Sequence, residues 1–339
     1  MRWISPTLIA AALAAACGSP RAVQSGAISG GTSDGGVGNF QRVFVILMEN
    51  QSAAAIYQGT TDPYLTGTLM KQYGYATAYQ SVVHPSEPNY VWLEAGSNDC
   101  GDVTFTTDND PSGGNSTATT EHLSTLLDHA GKSWREYAED MPPGACPLGD
   151  SGEFAVRHVP YVFFQDVAGD PPSATSASCL AHVYPFGQLA QDLASGTLPD
   201  YAFITPNVID DMHDGTVADG DGWLSGNSTV QQVVSYVTDP ANRALLLILW
   251  DECDSCGNAV GAGSAQPAFV VTAPSFLTGS HANATVLSHS SVVRSMQEIF
   301  GLTPAQKDAT TGKPYGWLRH AGDSGTNDLS SFFAAGDFP

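Results

Sequence analysis

The sequence predicts an α/β fold, a three-layer α/β/α sandwich with a mainly parallel central sheet and helices on both of its faces. Strand-like and helix-like segments alternate along most of the chain, which is typical of parallel sheets with crossover helices. Several strand-like segments are continuous apolar runs, as expected for strands buried on both faces. The chain has 339 residues, of which 42% are apolar and 14% charged. Such a composition supports a sizeable core and excludes wholesale disorder.

The first half of the domain supplies the opening elements of this fold. VFVILM (43–48) predicts a buried strand, a helix is expected around residues 64–73, and a second strand near 76–83. The segment HPSEPNYVWLEAG (84–96) places two prolines and a serine before an apolar-rich run, which indicates a strand-to-helix corner. TTEHLSTLLDHAG (119–131) has a capping-box pattern, helical apolar spacing and a closing glycine, so it predicts a helix.

The second half predicts three more strands and a late helix. The strands are YAFITPN (201–207), ALLLILWDE (244–252) and PAFVVTAPS (267–275), and the helix is SHSSVVRSMQEIFG (288–301). Residues 100–180 are rich in Pro, Gly and Ser, and are expected to form an insertion over the edge or mouth of the sheet. We therefore predict one domain, residues 39–339, that carries this insertion.

The first 17 residues, MRWISPTLIAAALAAAC, have the pattern of an export signal. Arg2 gives a minimal positive start, and the following apolar run is too short to span a bilayer. The sequence AAAC resembles a bacterial lipoprotein cleavage site, which would make Cys17 a lipid-bearing residue and attach the protein to the cell envelope. Ala14 stands where a larger aliphatic residue is usual, so ordinary secretion is the alternative. Residues 18–38 are Gly/Ser-rich and indicate a flexible tether.

The charge balance excludes one class of partner. Acidic residues outnumber basic ones 34 to 12, which gives a formal net charge of −22. A surface this acidic repels nucleic acid, so no nucleic-acid partner is expected. An anionic substrate would need local positive charge, and a bound cation could supply it.

Export also favours disulfide bonds over reduced thiols. Beyond the signal, five cysteines are available for pairing: Cys100, Cys146, Cys179, Cys253 and Cys256. Cys253 with Cys256 would close a small loop, and Cys146 with Cys179 a long one. Cys100 would then be left over.

Polar side chains follow directly after several of the predicted strands. These clusters are Glu49-Asn50, Ser86-Glu87-Pro88-Asn89, Asn207, Asp210 to Asp214, Asp251-Glu252 and Ser288-His289-Ser290. In open parallel sheets the carboxyl ends of the strands form the binding edge. Carboxylate and amide oxygens together with imidazoles suit a divalent cation. The sequence therefore predicts a metal site at this edge, with Ser86 either capping a helix or acting as a nucleophile.

Five segments, in their order along the chain, carry a specific resemblance: MENQS, HPSEPNY, ITPNVIDDMHD, WDE and SHSSVVRSMQEIFGL. From residue 43 to residue 302 the chain resembles the phosphoesterase family of bacterial and fungal acid phosphatases and phospholipases C. This resemblance implies an alkaline-phosphatase-like α/β/α fold and a phosphoric ester hydrolase. It also implies a covalent phospho-enzyme, formed on a serine or threonine at a helix start.

Carried over residue by residue, the resemblance assigns roles to twelve positions. It implies catalytic roles for Ser86 as nucleophile and for His213 and His289 in leaving-group protonation. It implies metal ligation by Glu49, Asn50, Asp251, Glu252, Asp210 and Asp214, and substrate contacts from Asn89, His158 and Asn207. The division between metal binding and protonation among Asp210, His213, Asp214 and His289 stays open. So does the identity of the divalent metal, for which Mg, Ca, Mn, Zn and Fe are all candidates.

These features together predict an exported, metal-dependent phosphomonoesterase of the acid phosphatase type. A phospholipase C-type phosphodiesterase is the alternative, and a surface lipoprotein that keeps the fold without catalysis is a third. The expected partner is a phosphorylated small molecule or a phospholipid head group.

Overall fold

A computed structural model of the chain describes Met1 and residues 40–81, 83–253, 265–279 and 281–339. The export signal, the lipidation of Cys17, the tether and the thiol of Cys256 lie outside these residues and stay predictions. The chain divides into two units, Met1–Gly35 and Gly36–Pro339. The second unit carries the fold described below.

The strands of the described residues run from the start of this unit to the last long helix. They are β1 (Arg42–Met48), β2 (Gly74–Ala76), β3 (Tyr79–Gln80), β4 (Trp134–Ala138), β5 (Val183–Pro185), β6 (Tyr201–Thr205), β7 (Ala244–Trp250), β8 (Ala265–Gln266), β9 (Ala268–Val271), β10 (Ala282–Asn283) and β11 (Leu287–Ser288). The expected strand near 76–83 is thus two short strands, β2 and β3.

The α-helices are mostly short. They are α1 (Ala53–Tyr57), α2 (Met70–Gln72), α3 (Ser86–Ala95), α4 (Leu123–His129), α5 (Gln165–Ala168), α6 (Ala177–His182), α7 (Gly187–Ser195), α8 (Val217–Gly226), α9 (Ser228–Thr238) and α10 (His289–Ile299). The helix expected around 64–73 is a π-helical turn, Leu65–Leu69, that runs into α2. Among the described residues, no helix is both long and apolar enough to cross a membrane.

The main sheet has eight strands in the order β10-β2-β9-β7-β1-β6-β4-β5. Each neighbouring pair is parallel except for the two pairs that contain β9, which runs antiparallel to both β2 and β7. The prediction of a mainly parallel sheet is confirmed. Three short strands, β11, β3 and β8, form a second small sheet.

Two apolar layers cover the faces of this sheet. Successive residues of a strand point to opposite faces. Val43, Val45 and Leu47 of β1 therefore pack in one cluster, which includes buried residues of α3, α4 and α10. Phe44, Ile46 and Met48 pack in the other cluster, which includes α8 and α9. Every residue of β1 after Arg42 is fully buried, which explains its continuous apolar sequence.

The segment 100–180 differs from the predicted insertion. Strand β4 lies inside the main sheet between β6 and β5, so this part of the segment belongs to the core of the domain. WREYA of β4 is largely buried, although two of its residues are charged. Because of these charges the segment is not a continuous apolar run, so the strand was not predicted. The flanking loops keep the Pro/Gly/Ser-rich character that suggested an insertion.

The described cysteines follow the expected pairing. Cys146 and Cys179 form a disulfide across 33 residues, whereas Cys100 is free and buried. Cys253 is disulfide-bonded, and its expected partner Cys256 lies outside the described residues. An oxidised pair in the domain supports folding in an oxidising compartment.

A buried histidine ties three helices together on the face that carries α3. His122 is fully buried, and its ring nitrogens lie 3.0 Å from Glu94 of α3 and 2.9 Å from Asp166 of α5. Glu94 also accepts the backbone N–H of Ser124 in α4 at 2.6 Å. Helix α4 therefore starts on this carboxylate, and not on the capping box expected from the sequence. Burial lowers the pKa of His122, but the hydrogen bonds that the ring donates to Asp166 and Glu94 outweigh burial and raise the pKa to about 9.

We expect this cluster to make stability pH-dependent. Because the pKa of His122 is higher in the folded state than in the unfolded chain, its contribution is complete below about pH 6.5. The contribution declines as the pH rises toward 9, by about 3 kcal/mol in total. Urea unfolding at pH 6.5 and pH 9 should show this loss in the wild type and a smaller loss in His122→Gln. Equal pH dependence of the two proteins would contradict this role of His122.

Candidate active site

The candidate site lies where the central strands end. Glu49 directly follows β1, and Asp251 directly follows the neighbouring strand β7. The backbone N–H of Asp251 donates to Met48 O at 3.0 Å, which holds the two strand ends together. The backbone N–H of Glu49 donates to Asp211 O at 2.8 Å, which brings in the loop after β6. Three distant parts of the chain thus meet at one edge of the sheet.

Ser86 points its hydroxyl into this meeting place. It is the first residue of α3, and its Oγ donates a hydrogen bond of 2.9 Å to Glu49 Oε2. The N-cap of α3 is Pro85, and no side chain caps this helix end. The alternative that Ser86 is a plain N-cap is therefore wrong. The helix ends at Gly96, where φ is 73° and a Cβ atom would lie 2.2 Å from Leu318 O.

Three carboxylates around Ser86 are buried together. Glu49, Asp251 and Asp211 each have no exposed surface. Burial, followed by the charges of Asp251 and Asp211, raises the pKa of Glu49 well above its usual value. Burial likewise raises the pKa of Asp251 to about 6 and that of Asp211 to about 8. These groups cannot all ionise near neutral pH unless positive charge is brought to them.

His158 joins this group from a 3₁₀ turn. Its Nε2 lies 3.2 Å from Glu49 Oε1, and its Nδ1 lies 3.2 Å from Asp211 Oδ2. Neither contact has hydrogen-bond geometry, although all four atoms are buried. The ring stacks on Tyr90 of α3 at a centroid distance of 4.8 Å. Burial, helped by the charges of Arg157 and His213, lowers the pKa of His158, so the ring is neutral.

His213 and Arg157 form the outer wall of the site. His213 Nδ1 lies 2.8 Å from Asp214 Oδ1, and His213 Nε2 lies 3.3 Å from Arg157 Nη2. The Asp214 side chain is 62% exposed, so it orients His213 from the solvent side. A cavity of about 230 Å³ opens here, and Arg157 is the only arginine or lysine among the described residues that line it.

Glu252 and Asn89 lie close together on the other side of Ser86. Glu252 Oε2 accepts from Asn89 Nδ2 at 3.1 Å and lies 2.7 Å from His84 Nδ1. Asn89 Nδ2 also donates to Val83 O at 2.9 Å and to Pro85 O at 3.1 Å. Asn89 therefore fixes the corner before α3 and connects it to Glu252.

His289 occupies a different position from the one that leaving-group protonation needs. It is fully buried at the start of α10. Its Nε2 lies 2.8 Å from the backbone oxygen of Asp251, and its Nδ1 lies 2.6 Å from the Tyr79 hydroxyl. Burial lowers its pKa to about 4. Both nitrogens of a neutral ring are engaged, so His289 holds the backbone of Asp251 in place.

Asp210 and Asn207 lie in a separate cluster. Asn207 Oδ1 accepts the backbone N–H of Ile209 at 3.0 Å and that of Asp210 at 2.9 Å, which makes a tight turn after β6. Its Nδ2 donates to Asp140 Oδ2 at 2.7 Å. The pKa of Asp210 is raised by burial and by the charge of Asp140. The structure thus brings Asp210 near Asn207 and Asp140, and the neighbouring residue Asp211 to Glu49.

Two residues of the site were missed in the sequence. Asp211 is next to Asp210 in the same acidic segment. Because this segment is a loop, it has no periodicity from which to predict which of the two side chains points into the site. Arg157 adjoins His158 in AVRHVPYVFF. The available signal was a basic residue next to a candidate histidine, in a chain with 34 acidic and 12 basic residues.

The donor set fits a divalent cation. Buried oxygens of Glu49 (Oε1), Asn50 (Oδ1), Asp251 (Oδ2) and Asp211 (Oδ2) accept no hydrogen bond from the described residues. Buried polar atoms without partners are costly, and carboxylate and amide oxygens are typical cation ligands. One ligand atom each from Glu49, His158 and His213 also lie within 4.8 Å of one another, so they could hold a metal ion. The chemistry of the donors does not select one metal.

A sequence profile described as the Phosphoesterase family matches residues 57–303. The chain belongs to the Phosphoesterase family. It is a phosphoesterase of the acid phosphatase-like type, and the resemblance predicted from five short segments is confirmed.

Several named phosphatases are similar to this phosphoesterase in sequence. It is 30% identical to a phosphatidylinositol-3-phosphatase of Mycobacterium tuberculosis over 280 residues, which cover 81% of each chain. It is 29% identical to a phosphate-repressible acid phosphatase of Penicillium chrysogenum over 67% of this chain and 52% of that one. An acid phosphatase of Aspergillus fumigatus is also 29% identical, over 63% and 45% of the two chains. The phosphoesterase thus spans about half the length of these fungal relatives.

One solved structure agrees with the fold class, and a second aligns less closely. A Bacteroides fragilis protein assigned as a sulfatase aligns over 88% of the phosphoesterase and 81% of its own chain, with a TM-score of 0.52 and 11% identity. A member of the alkaline phosphatase superfamily from Vibrio parahaemolyticus aligns over 78% and 68% of the two chains, with a TM-score of 0.48 and 10% identity. At these identities the likeness concerns the fold alone.

Proposed function

We propose that the protein is an exported, metal-dependent phosphomonoesterase with Ser86 as its nucleophile. The hydrogen bond between Ser86 Oγ and Glu49 Oε2, inside a group of buried carboxylates, carries this proposal. A structural serine would be expected to cap its helix or to bond to the backbone. Ser86 does neither, and it faces a group of atoms suited to a cation. Two relatives, an acid phosphatase and a phosphatidylinositol-3-phosphatase by name, favour a monoester substrate.

The residues of this chain divide the chemistry between them. Ser86 Oγ attacks the phosphorus of the bound ester, and the P–O bond to the alcohol breaks as the new bond forms. Glu49 Oε2 accepts the hydrogen bond from the Ser86 hydroxyl, which aligns the oxygen for attack, and takes up the proton as the oxygen attacks. His213 lines the cavity with its Nδ1 held by Asp214, and its Nε2 would protonate the departing alkoxide once the bound phosphate replaces His213 as the partner of Arg157 Nη2. A water molecule then hydrolyses the phosphoserine, which releases inorganic phosphate and restores Ser86.

Glu49, Asn50, Asp251 and Asp211 would hold the metal ion, with Glu252, His158 and His213 beside them. When bound, such an ion lowers the pKa of a coordinated hydroxyl and offsets the charge of the phosphate. It also offers the buried carboxylates the positive charge that allows them to ionise together. His158 is fixed by its stacking on Tyr90 and orients Glu49 and Asp211 from the side.

We expect Arg157→Gln to weaken substrate binding more than it slows the chemical step. The guanidinium lines the cavity, with Nη1 3.4 Å from the exposed Asp150 and Nη2 3.3 Å from His213 Nε2, and its remaining N–H groups are available to a phosphate. KM for p-nitrophenyl phosphate should rise about tenfold, with a smaller change in kcat. Arg157→Lys, which keeps the charge, should recover part of the loss. An unchanged KM in both variants would contradict this role.

The proposed function is tested by metal analysis of the purified protein together with a substrate panel before and after chelation. We expect a stoichiometric divalent metal and metal-dependent release of nitrophenol from p-nitrophenyl phosphate. Release of phosphocholine from lipid, with no monoesterase activity, would instead support the phospholipase C alternative. Activity toward neither substrate in the metal-loaded protein would leave the non-catalytic lipoprotein.

Export is part of the proposal, and the Cys146–Cys179 disulfide supports it. Expression of the full chain followed by fractionation should place the oxidised protein outside the cytoplasm. Cys17→Ser then separates the two routes. Retention of the variant in the membrane fraction would contradict lipidation, whereas its release would support it.

A further inference from the structure

The loop of residues 103–115 is tied directly to the helix that carries Ser86. Glu87 follows Ser86 in α3 and is fully buried. Its carboxylate accepts the backbone N–H of Asn109 at 2.8 Å and the amide of Asn115 at 3.1 Å. In return, the backbone N–H of Glu87 donates to Asp108 Oδ1 at 2.9 Å. The loop is therefore positioned by the same turn of helix that positions Ser86.

Residues of this loop line an open cleft of about 780 Å³. The cleft shares Asp108, Asn109 and Asp110 with the smaller cavity lined by Arg157 and His213. The two spaces therefore adjoin, and a phosphate ester bound beside Arg157 would extend its alcohol part along the loop. Threonine, serine, aspartate and asparagine side chains line most of the cleft, and Val103 is its one apolar side chain among the described residues.

The lining selects for hydrogen-bonding groups and against negative charge. Asp110 lines both spaces, and none of the described residues donates a hydrogen bond to its carboxylate. Such an acceptor suits a hydroxyl group, because a hydrogen bond to a charged group is among the stronger ones. Asp108 adds a second negative charge nearby. A second phosphate on the substrate would meet both carboxylates, within a protein of net charge −22.

We propose that the cleft binds the alcohol part of phosphate monoesters of neutral polyols, with Asp110 accepting hydroxyl hydrogen bonds. This inference rests on the proposed phosphomonoesterase activity and names its substrate class. A polyhydroxylated ring or chain satisfies the polar lining, an apolar alcohol leaves it unsatisfied, and a polyanionic ester is repelled.

Three primary alkyl phosphates of similar size test this selectivity: glucose 6-phosphate, cyclohexylmethyl phosphate and glucose 1,6-bisphosphate. The second lacks the hydroxyl groups, and the third adds a negative charge. We expect kcat/KM for glucose 6-phosphate to exceed that for each of the others by at least about tenfold. Equal values, or a preference for the apolar or the doubly charged ester, would overturn the proposal.

Asp110→Asn provides the matched variant. Its side chain is exposed and its carboxylate receives no hydrogen bond from the described residues, so folding should be unaffected. We expect the preference for glucose 6-phosphate over the bisphosphate to fall by at least about threefold. Asp170→Asn removes an equal charge from an exposed residue that lines neither space, and it should leave the preference as it is. If Asp110→Asn leaves the preference unchanged, Asp110 does not have the proposed role in substrate binding.

Soluble inositol monophosphate and phosphatidylinositol monophosphate share a polyol ring, but the lipid adds the negative charge of a phosphodiester. Hydrolysis of inositol monophosphate supports the polyol class, and phosphatidylinositol monophosphate in phosphatidylcholine vesicles should be cleaved more slowly. Hydrolysis of neither, in a preparation that cleaves p-nitrophenyl phosphate, overturns this inference alone. A preparation that is metal-loaded and cleaves no monoester at all overturns the proposed function instead.

Discussion

Ser86→Ala is expected to lower kcat for p-nitrophenyl phosphate by at least about a thousandfold while the protein stays folded. The substitution removes the oxygen that would attack phosphorus. It removes no helix cap, since Pro85 occupies that position and the Ser86 hydroxyl bonds to Glu49. The residues proposed to hold the metal are unchanged, so metal content should be retained. Steady-state kinetics, metal analysis and thermal unfolding of the purified variant check these three outcomes.

Ser290→Ala is the matched control for this substitution. Ser290 is also a buried serine in the first turn of a helix, and it accepts a 2.9 Å hydrogen bond from Trp92 Nε1. Its loss should lower stability by about 1 kcal/mol and leave kcat near the wild-type value. Acid quenching of the wild type during turnover should trap phosphate on Ser86, detectable as a mass increase of its peptide. Full activity in Ser86→Ala would remove the nucleophile assignment.

Glu49→Gln should have opposite effects on activity and on the stability of the metal-free protein. Glutamine keeps the shape of the side chain but cannot ionise, and the carboxyl group that it replaces is fully buried beside Asp251 and Asp211. Metal affinity and kcat should each fall by at least about a hundredfold. The chelated variant should nevertheless unfold about 2–4 °C higher than the chelated wild type, because the raised pKa of Glu49 means that the wild type must take up a proton on folding, whereas glutamine is already neutral.

Glu298→Gln is the control for Glu49→Gln, because Glu298 is another carboxyl group with a raised pKa but lies outside the site. Burial, followed by the charge of Asp328, raises the pKa of Glu298 to about 7, and this residue lies in the last turn of α10. Its replacement should leave kcat and metal content close to the wild type. A Glu49→Gln protein that is less stable than the wild type without metal would show that Glu49 is structural.

The central strands could be predicted from sequence because their burial is visible in it. VFVILM and ALLLILW have continuous apolar residues, and both became neighbouring strands of the sheet. Strand β4 was not predicted because WREYA carries two charges, and its pairing with β6 depends on residues 67 positions away. The antiparallel direction of β9 also depends on a connection that no local pattern specifies. Local sequence predicts burial well, and pairing partners poorly.

The same limit applies to the site. Glu49, Asp251 and Ser86 were predicted from what precedes them, two apolar strands and a strand-to-helix corner, and the structure places them side by side. Asp211 was missed because the turn made by Asn207 directs it inward, and Met212 then takes a positive φ of 82°. His289 forms hydrogen bonds with the Tyr79 hydroxyl and the Asp251 backbone oxygen, which lie far apart in the chain. Contacts of this kind are decided by the fold.

The position of β1 in the sheet has a consequence for biosynthesis. Among the strands of the described residues this one is made first, yet its two partners are β6 and β7, which end at Thr205 and Trp250. At typical translation rates, the emerging chain carries this unpaired strand, apolar in every residue after Arg42, for about 10–40 s before both partners exist. Such a segment is prone to aggregate and invites chaperone binding. Yield in a heterologous host should therefore depend more on holdase capacity during synthesis than on the stability of the finished molecule.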